Sequence, residues 1–441
     1  MYNISAKYDE FFHVKNHFYF ISLFLPKCLS IMFKKIKNKA LRIVLSVLTS
    51  ILGLLLFVFL VFYLAVPSYT YTVPGPFNGP YWHNPYEGMN PDHWKKYNMH
   101  CHSRKYFGLT NGRLSTEENI DSVYQRMQYD HYGISDYMHI NRHGSERKDF
   151  IPCYEHGYGL FRKTHQICIG AQKVWMIDYP FVQTLDMKQH AINQMGKRCR
   201  FVMPAHASFT GGYKVSDMKY LSNYRLLEVL NPFGFSFEHW DMALSNGHRV
   251  YIAGDDDSHN VLNTNEIGRC FTMINVDDMD PENVYSALES GMAYGVKFNP
   301  YYNQPFEMKV DRMGQLPHLT RCELVGDTLI VETSSDLIES VAFVGQGGKI
   351  LKEEHNVKTA HYVVQPDDNY VRTELMLPKM HYFYLNPITR HQTKTPIDRP
   401  CVSVNYARTA LLWIGYAFMV GYIIYLVIRK LIHPKTENHE D

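Results

Sequence analysis

The hydrophobic pattern of the chain divides it into two long apolar stretches with a mixed segment between them. Residues 43–66 and 409–428 contain no charged side chain, and each stretch is long enough to cross a bilayer as a helix. Basic residues precede the first stretch and follow the second, namely Lys34, Lys35, Lys37, Lys39, Arg42, Arg429, Lys430 and Lys435. Positive charge at both outer ends predicts that both ends face the cytoplasm.

This pattern predicts a cytoplasmic segment over residues 1–40, transmembrane helices over 41–66 and 408–428, and a cytoplasmic tail over 429–441. The residues between the two helices are then extracytoplasmic, which in a bacterium is the periplasmic side of the inner membrane. A cleaved signal peptide is the alternative for the first stretch. Its apolar core is too long for a signal peptide, however, and no clean small-residue cleavage site follows it.

Strand and helix patterns alternate over residues 96–300, after a lead-in rich in Pro and Gly that predicts a linker over residues 67–95. A capping box at residues 115–118 opens a helix with Ile120, Val123, Tyr124 and Met127 on one face. Apolar runs predict strands at residues 97–100, 132–136, 201–205, 226–230 and 249–253. This alternation favours an α/β fold of the βα-barrel type.

The pattern changes at about residue 301, where short strands alternate with turns and no helical stretch is indicated. The clearest strands are residues 328–333, 340–345, 361–365 and 380–385. We therefore expect a compact β-sandwich over residues 301–402. Composition adds one exclusion, because 45 basic residues against 43 acidic residues leave no positive surplus with which to grip nucleic acid.

Histidines and carboxylates adjoin the apolar runs of the first half at five separate places. They are His100, His102, Glu155, His165, His206, Asp257 and His259. His100 and His102 alternate along a predicted strand, so both imidazoles lie on one face and can bind one ion. Asp257 and His259 repeat the spacing and add a carboxylate. A scattered set of this kind indicates a polynuclear metal site and hydrolysis rather than a structural zinc.

These residues fall within eight short motifs whose order is that of a known family, and the chain resembles the polymerase and histidinol phosphatase (PHP) superfamily of metal-dependent phosphoesterases. The resemblance covers residues 96–300. The motifs are residues 98–103 (NMHCHS), 111–115 (NGRLS), 132–137 (YGISDY), 151–155 (IPCYE), 164–170 (THQICIG), 204–206 (PAH), 227–231 (LEVLN) and 254–259 (GDDDSH).

The resemblance implies a distorted, TIM-like barrel of the PHP type and a set of metal ligands. His100, His102, Glu155 and Asp257 would hold one divalent ion, while Glu155, His165 and His206 would hold a second, with Glu155 bridging the two. Asp257 and Glu155 would thereby be essential for catalysis. Two or three ions per chain are expected, as Zn²⁺, Mn²⁺ or Fe²⁺.

A third ion, common in the family, is where the chain departs from the pattern. Asn111 replaces the usual aspartate and Tyr137 replaces the usual histidine, whereas His259 is retained. An amide oxygen and a phenol bind divalent ions less well than a carboxylate and an imidazole. Other residues that could substitute are Asp136, His139 and His143.

Several polar residues near these motifs are candidates for supporting roles. Arg104 and Arg142 follow site motifs and are the first candidates for binding phosphate, ahead of Lys105 and Arg113. Glu228 and Asn231 are expected to orient the barrel rather than bind metal. Asp256 could orient a ligand imidazole.

The resulting expectation is a membrane-anchored, extracytoplasmic phosphoesterase that hydrolyses a phosphomonoester or phosphodiester through a metal-activated water. Its partners would be the lipid bilayer and a phosphorylated small molecule or a lipid or envelope substrate, with no nucleic acid; the sequence does not indicate an oligomeric state. Two alternatives stay open. One is a membrane sensor that binds a metal or ligand without catalysis, and the other is a dinuclear hydrolase of a non-phosphate ester or amide.

Overall fold

The computed structural model describes residues 38–108, 112–159, 162–179 and 181–432. Asn111, nearly all of the predicted cytoplasmic segment 1–40 and most of the predicted tail 429–441 lie outside these residues. The described residues form two compact units, one comprising residues 38–66 with 412–432 and the other lying within Pro67–Leu411. The candidate metal ligands all belong to the second unit. They are called the metal-type residues below, and they are His100, His102, Glu155, His165, His206, Asp257 and His259.

Seven helices lie in the described residues: α1 Lys39–Leu64, α2 Glu117–Arg126, α3 Leu185–Met195, α4 Phe237–Ser245, α5 Pro281–Ser290, α6 Phe306–Gly314 and α7 Tyr406–Ile432. Ten strands precede residue 280: β1 Tyr69–Tyr71, β2 Tyr81–His83, β3 Trp94–Cys101, β4 His131–Ile134, β5 Cys153–His156, β6 Gln166–Ile169, β7 Phe201–Pro204, β8 Leu226–Leu230, β9 Tyr251–Gly254 and β10 Cys270–Asn275. Ten follow it: β11 Ala293–Lys297, β12 Leu319–Val325, β13 Thr328–Thr333, β14 Ile338–Gly345, β15 Lys349–Val357, β16 Thr359–Val363, β17 Tyr370–Leu377, β18 His381–Leu385, β19 Ile388–His391 and β20 Val402–Val404.

Helix α2 begins one residue later than the predicted capping box indicates, because Thr116 rather than Ser115 is its N-cap. The hydroxyl of Thr116 accepts a hydrogen bond from the Asn119 backbone N–H at 3.3 Å and so caps the helix. Ile120, Val123 and Tyr124 form the buried face of the helix, as their spacing indicates. This stripe is buried in the same hydrophobic core as Cys101 of β3 and Ile134 of β4, which stabilises the helix.

The strands form a mixed α/β architecture of several sheets. The largest sheet has ten strands in the order β15-β14-β17-β18-β11-β10-β3-β4, and β19 joins it through β17 and carries β2. Smaller sheets are β12-β13-β16, β5-β6-β7, β8-β9 and β1-β20. Only β3 with β4 and β8 with β9 pair in parallel among the described strands.

The predicted closed βα barrel is not found in the described part of the chain. A βα barrel needs parallel neighbours all round, whereas β6 runs antiparallel to both β5 and β7, and β10 runs antiparallel to β3. Single parallel bridges, Tyr137 to Glu155 and Cys101 to Ser258, join strand ends without forming a ladder. The strands that carry the metal-type residues therefore meet at one edge without a continuous hydrogen-bonded ring.

The separate β-sandwich that the sequence predicts after residue 301 is not confirmed. The largest sheet contains strands from both sides of residue 300. Strand β11, before that residue, pairs with β18, and β18 continues the sheet through β17, β14 and β15. The strand positions themselves agree well, and β13 covers residues 328–333 as predicted. The domain boundary near residue 300 stays a prediction.

Helix α6 was missed because its buried face is not an apolar stripe. Its buried residues are Lys309 and Met313. The Lys309 ammonium donates hydrogen bonds to the carbonyl oxygens of Thr264 at 2.6 Å and Ile267 at 2.5 Å. A buried lysine interrupts the hydrophobic period, so the helix depends on these tertiary contacts rather than on a visible pattern.

Helices α1 and α7 are long and apolar enough to cross a membrane. Their most apolar windows have mean hydropathies of 2.8 and 1.7. The short β1–β20 pair lies next to them in sequence, and it is closed by the Ser68 backbone N–H donating to Thr409 Oγ1 at 3.0 Å and the Asn405 N–H donating to the Ser68 carbonyl at 2.8 Å. Residues that follow the first apolar helix thus pair with residues that precede the second.

Candidate metal centre

The metal-type residues converge at one edge of the strands. His100 lies near the end of β3 with His102 just beyond it, Glu155 lies in β5, and His206 follows β7. Asp257 and His259 follow β9. His165 precedes β6 instead of following it. Because β6 is antiparallel to its neighbours, its first residues lie at the edge where β5 and β7 end, which brings His165 to the same place.

Glu155 lies at the centre of the cluster, with its two carboxylate oxygens facing different histidines. Oε2 is 3.3 Å from His100 Nε2 and 3.1 Å from His102 Nε2. Oε1 is 2.5 Å from His165 Nδ1 and 3.3 Å from His206 Nε2. The Glu155 side chain is fully buried, so this carboxylate is shared between two pairs of imidazoles away from solvent.

Asp257 completes the set on the other side of the histidine pair. Its Oδ1 is 3.1 Å from His100 Nε2, 3.4 Å from His102 Nε2 and 3.6 Å from His259 Nδ1. Within the part of the chain that the structure describes, four overlapping groups could each hold a metal ion: His100, His102 and Glu155; His100, His206 and Asp257; His102, Asp257 and His259; and Glu155, His165 and His206.

On the His100 and His102 side the ligand atoms fit metal coordination better than hydrogen bonding to one another, whereas Glu155 Oε1 on the other side also forms hydrogen bonds with His165 and His206. Within the described residues, His100 Nε2, His102 Nε2, Glu155 Oε2 and Asp257 Oδ1 are buried and make no well-aligned hydrogen bond. Atoms bound at 2.0–2.2 Å to a common ion are about 3 Å apart, which is the spacing found between these nitrogen and oxygen atoms. The donor set therefore suits a divalent cation.

Electrostatics lead to the same conclusion. Burial alone would lower the pKa of His100, but the carboxylates of Asp257 and Glu228 outweigh burial and raise that pKa well above its ordinary value. Burial would raise the pKa of Glu155, yet the imidazoles of His165 and His100 hold it well below its ordinary value. Buried carboxylates in this cluster thus require positive charge, which protonated imidazoles or divalent cations supply.

Glu228 and Asn231 orient the ligands, a more specific role than the sequence indicated. Glu228 Oε1 accepts the Nδ1–H of His100 at 2.8 Å, which turns His100 Nε2 toward Glu155 and Asp257. Glu228 Oε2 accepts the His206 backbone N–H at 2.6 Å. Asn231 Nδ2 donates to Glu228 Oε2 at 3.0 Å and to Asp257 Oδ2 at 3.1 Å.

Asp256 does not orient an imidazole, contrary to the suggestion made from the sequence. Its carboxylate accepts the backbone N–H groups of residues 268–270 at 2.6 to 3.1 Å and the Tyr124 hydroxyl at 3.3 Å. The two neighbouring aspartates follow the end of β9 at Gly254 and point in different directions. Asp256 binds the backbone of residues 268–270, whereas Asp257 faces the cluster.

Local backbone geometry also serves the cluster. The backbones of His206 and Asp257 have φ angles of 32° and 49°, which residues other than glycine rarely adopt. Gly157 and Gly159 pack against the His165 ring, where an added Cβ would lie 2.5 Å and 2.3 Å from its atoms. These two glycines after Glu155 were not recognised from the sequence, although a Gly-x-Gly pair directly after a strand is a signal of close backbone approach.

Of the residues considered for a third ion, Tyr137 contacts the cluster histidines, whereas Asp136 and His143 are engaged by other residues. Tyr137 stacks on His102 with ring centroids 4.5 Å apart, and its hydroxyl is 3.4 Å from His259 Nε2. Asp136 is engaged by the Ser103 N–H at 2.8 Å and the Asn141 amide at 3.0 Å. His143 pairs with Asp121 at 2.7 Å on the surface, and His139 is half-buried.

Arg104 and Arg142 are both exposed, and neither guanidinium has a hydrogen bond or ion pair to another described residue. The same is true of Arg113. Exposed guanidinium groups without a protein partner are available to an anion. Their role in binding phosphate stays a prediction.

Comparison with known proteins does not assign a family or an activity to the chain. No protein-family model matches the chain, and no curated protein matches it. A solved structure to which the chain is similar is a two-domain protein containing a predicted PHP-like metal-dependent phosphoesterase from Bacteroides vulgatus. The match has 13% identity and a TM-score of 0.34, and it covers 71% of this chain and 98% of the other. A similarity of that size does not assign the chain to a family.

Proposed function

We propose that the chain is a PHP-type metal-dependent phosphoesterase with two divalent cations at the Glu155 cluster. The observation that supports this best is the division of Glu155, whose Oε2 faces His100 and His102 and whose Oε1 faces His165 and His206. A carboxylate placed in this way could hold an ion on each of its two oxygens. Asp257 would add a further ligand to the His100 and His102 side, and His259 is the most exposed member of the set.

The chain's own groups prepare this site for phosphoryl chemistry. Bound divalent cations supply Lewis acidity for phosphoryl oxygens and lower the pKa of a coordinated water. Glu228 fixes the tautomer and direction of the His100 ring, and Asn231 fixes the Asp257 carboxylate. The proposed phosphate contacts are Arg104 and Arg142. Burial of the ligand carboxylates keeps bulk water away from their charge.

A substrate panel tests this proposal. Full-length protein loaded with Mn²⁺ or Zn²⁺ is assayed against phosphomonoester, phosphodiester, carboxylic ester and amide substrates, before and after chelation. We expect chelator-sensitive hydrolysis of a phosphoester. Metal-dependent cleavage of only the ester or amide would favour the non-phosphate hydrolase, and tight metal binding without any hydrolysis would favour the sensor.

We further propose that helices α1 and α7 anchor the chain in the inner membrane as two spans, with residues 67–407 on the periplasmic side. The flanking basic residues support this orientation. The β1–β20 pair is consistent with it, since it joins the residues that follow one span to those that precede the other. A lipid-linked or envelope phosphoester would then be within reach of the enzyme.

Reporter fusions check the orientation. An alkaline phosphatase reporter fused at Pro91 should be active, because that position is expected outside the cytoplasm, and one fused after Pro434 should be inactive. A fluorescent reporter that folds only in the cytoplasm should give the opposite pair of results. Equal signals at the two positions would contradict the two-span orientation.

A further inference from the structure

A pair of phenylalanines, the half-buried Phe209 and the exposed Phe233, lies directly beside the metal-type cluster. Their ring centroids are 5.5 Å apart. The Phe209 ring is 5.8 Å from the His206 ring, and the Phe233 ring is 6.0 Å from the His259 ring, both nearly perpendicular. Phe233 is 52% exposed and Phe209 half-buried, so the pair presents an apolar surface at the side of the proposed catalytic site.

The position of this Phe209–Phe233 pair is fixed by the same hydrogen bonds that orient the ligands. The Phe233 backbone N–H donates to Asn231 Oδ1 at 2.8 Å, while the amide nitrogen of Asn231 holds Glu228 and Asp257. The Phe209 N–H donates to the His206 carbonyl at 2.7 Å. Between the two segments the fit is close, because a Cβ on Gly234 would lie 2.6 Å from Ser208 Oγ. The exposed rings are therefore held against the cluster rather than left on a loose surface loop.

The surface that these rings present favours apolar ligand groups over polar ones. A hydroxyl-rich group such as a sugar would lose hydration against two phenyl rings without gaining hydrogen bonds from them. A hydrocarbon or aromatic group would bury apolar area on both sides and could stack on Phe233 or meet its edge. The imidazoles that these rings contact, those of His206 and His259, belong to the cluster and would face the phosphoryl group instead.

We propose that the Phe209–Phe233 pair is a binding site for an apolar group carried by the phosphoester substrate, next to its phosphorus. This inference rests on the proposed phosphoesterase function and narrows its substrate to esters whose organic part is aromatic or hydrocarbon near the phosphate. Phe233 is the main contact because it is the more exposed ring.

A comparison of two phosphonates tests the inference without requiring turnover. Phenylphosphonate and methylphosphonate share the anionic group and differ in the ring, and their binding to metal-loaded, full-length protein in nanodiscs is measured by calorimetry. We expect phenylphosphonate to bind about tenfold more tightly. In Phe233→Ala the ratio should fall to near one while the methylphosphonate affinity is retained, because only the contact with the ring is lost.

Phe235→Ala is the matched control. Phe235 lies in the same loop and is 38% exposed, but its ring lies 4.9 Å from the Lys297 ammonium and 6.1 Å from the Phe237 ring rather than beside the cluster. This variant should keep the wild-type ratio. Should Phe233→Ala weaken both ligands, Phe233→Leu decides: a reduced ratio with methylphosphonate binding intact supports the inference, and a parallel loss overturns it.

Equal wild-type affinities for the two phosphonates would overturn the inference, and so would a ratio that Phe233→Ala leaves unchanged. Both results leave the phosphoesterase proposal intact, because phosphonate still binds. Failure of the metal-loaded protein to bind either phosphonate would instead contradict the proposed function, and this inference with it.

Discussion

Replacing Glu155 by glutamine is expected to reduce metal retention from two equivalents to fewer than one and to lower turnover by more than about 100-fold. The amide keeps the shape of the side chain but removes the charge that faces His100 and His102 with one oxygen and His165 and His206 with the other. Elemental analysis after dialysis and initial rates on the best phosphoester measure the two effects.

Glu228→Gln is the matched control for this prediction. Glu228 is an equally buried glutamate, but it contacts the back of His100 and the His206 backbone instead of facing the shared space. We expect a loss of about 10- to 100-fold in metal affinity or activity, smaller than that of Glu155→Gln. A Glu155→Gln variant that retains two equivalents would contradict the bridging role.

Asp257→Asn is expected to abolish measurable turnover while the fold is largely preserved. The substitution is nearly isosteric, but it removes the charge that lies 3.1 Å from His100 Nε2 and 3.4 Å from His102 Nε2. Circular dichroism and thermal unfolding should resemble those of the wild type. Turnover at the wild-type rate would reject the assignment of Asp257 to the catalytic centre.

Asp256→Asn separates this effect from general damage near the site. Asp256 is the adjacent buried carboxylate, and it binds the backbone N–H groups of residues 268–270. Its replacement should lower the free energy of unfolding by about 1–3 kcal/mol, since an amide nitrogen cannot accept those hydrogen bonds. Metal content and turnover per folded molecule should be retained.

The candidate site could be predicted more fully than the fold around it. The spacing of His100 and His102 on a strand, and of Asp257 and His259 after another, already indicated a shared face, and the structure brings these residues together with Glu155, His165 and His206. The tasks of Glu228 and Asp256 could not be separated in advance. Glu228 lies in the middle of β8 and Asp256 just after β9, and only the tertiary arrangement decides which carboxylate meets an imidazole.

The sheet connectivity was harder to predict for a physical reason. Short, fully buried strands such as β5, β6 and β7 read as the same apolar run whether their neighbours are parallel or antiparallel. The antiparallel direction of β6 therefore cannot be recognised from the sequence. Because of this direction, a residue that precedes β6, His165, lies at the edge where β5 and β7 end. The buried ammonium of Lys309 concealed helix α6 in a similar way.

The number of metal ions held by the protein tests the central claim most directly. The structure offers Glu155 as a bridge between two groups of ligands, whereas the remaining position has His259 with the weakly binding Tyr137 hydroxyl 3.4 Å from its Nε2. Elemental analysis of full-length protein after exhaustive dialysis should return close to two equivalents of divalent metal per chain. A protein that retains none after loading with Zn²⁺ or Mn²⁺ would contradict the metal centre, and three retained equivalents would show that the third position is complete.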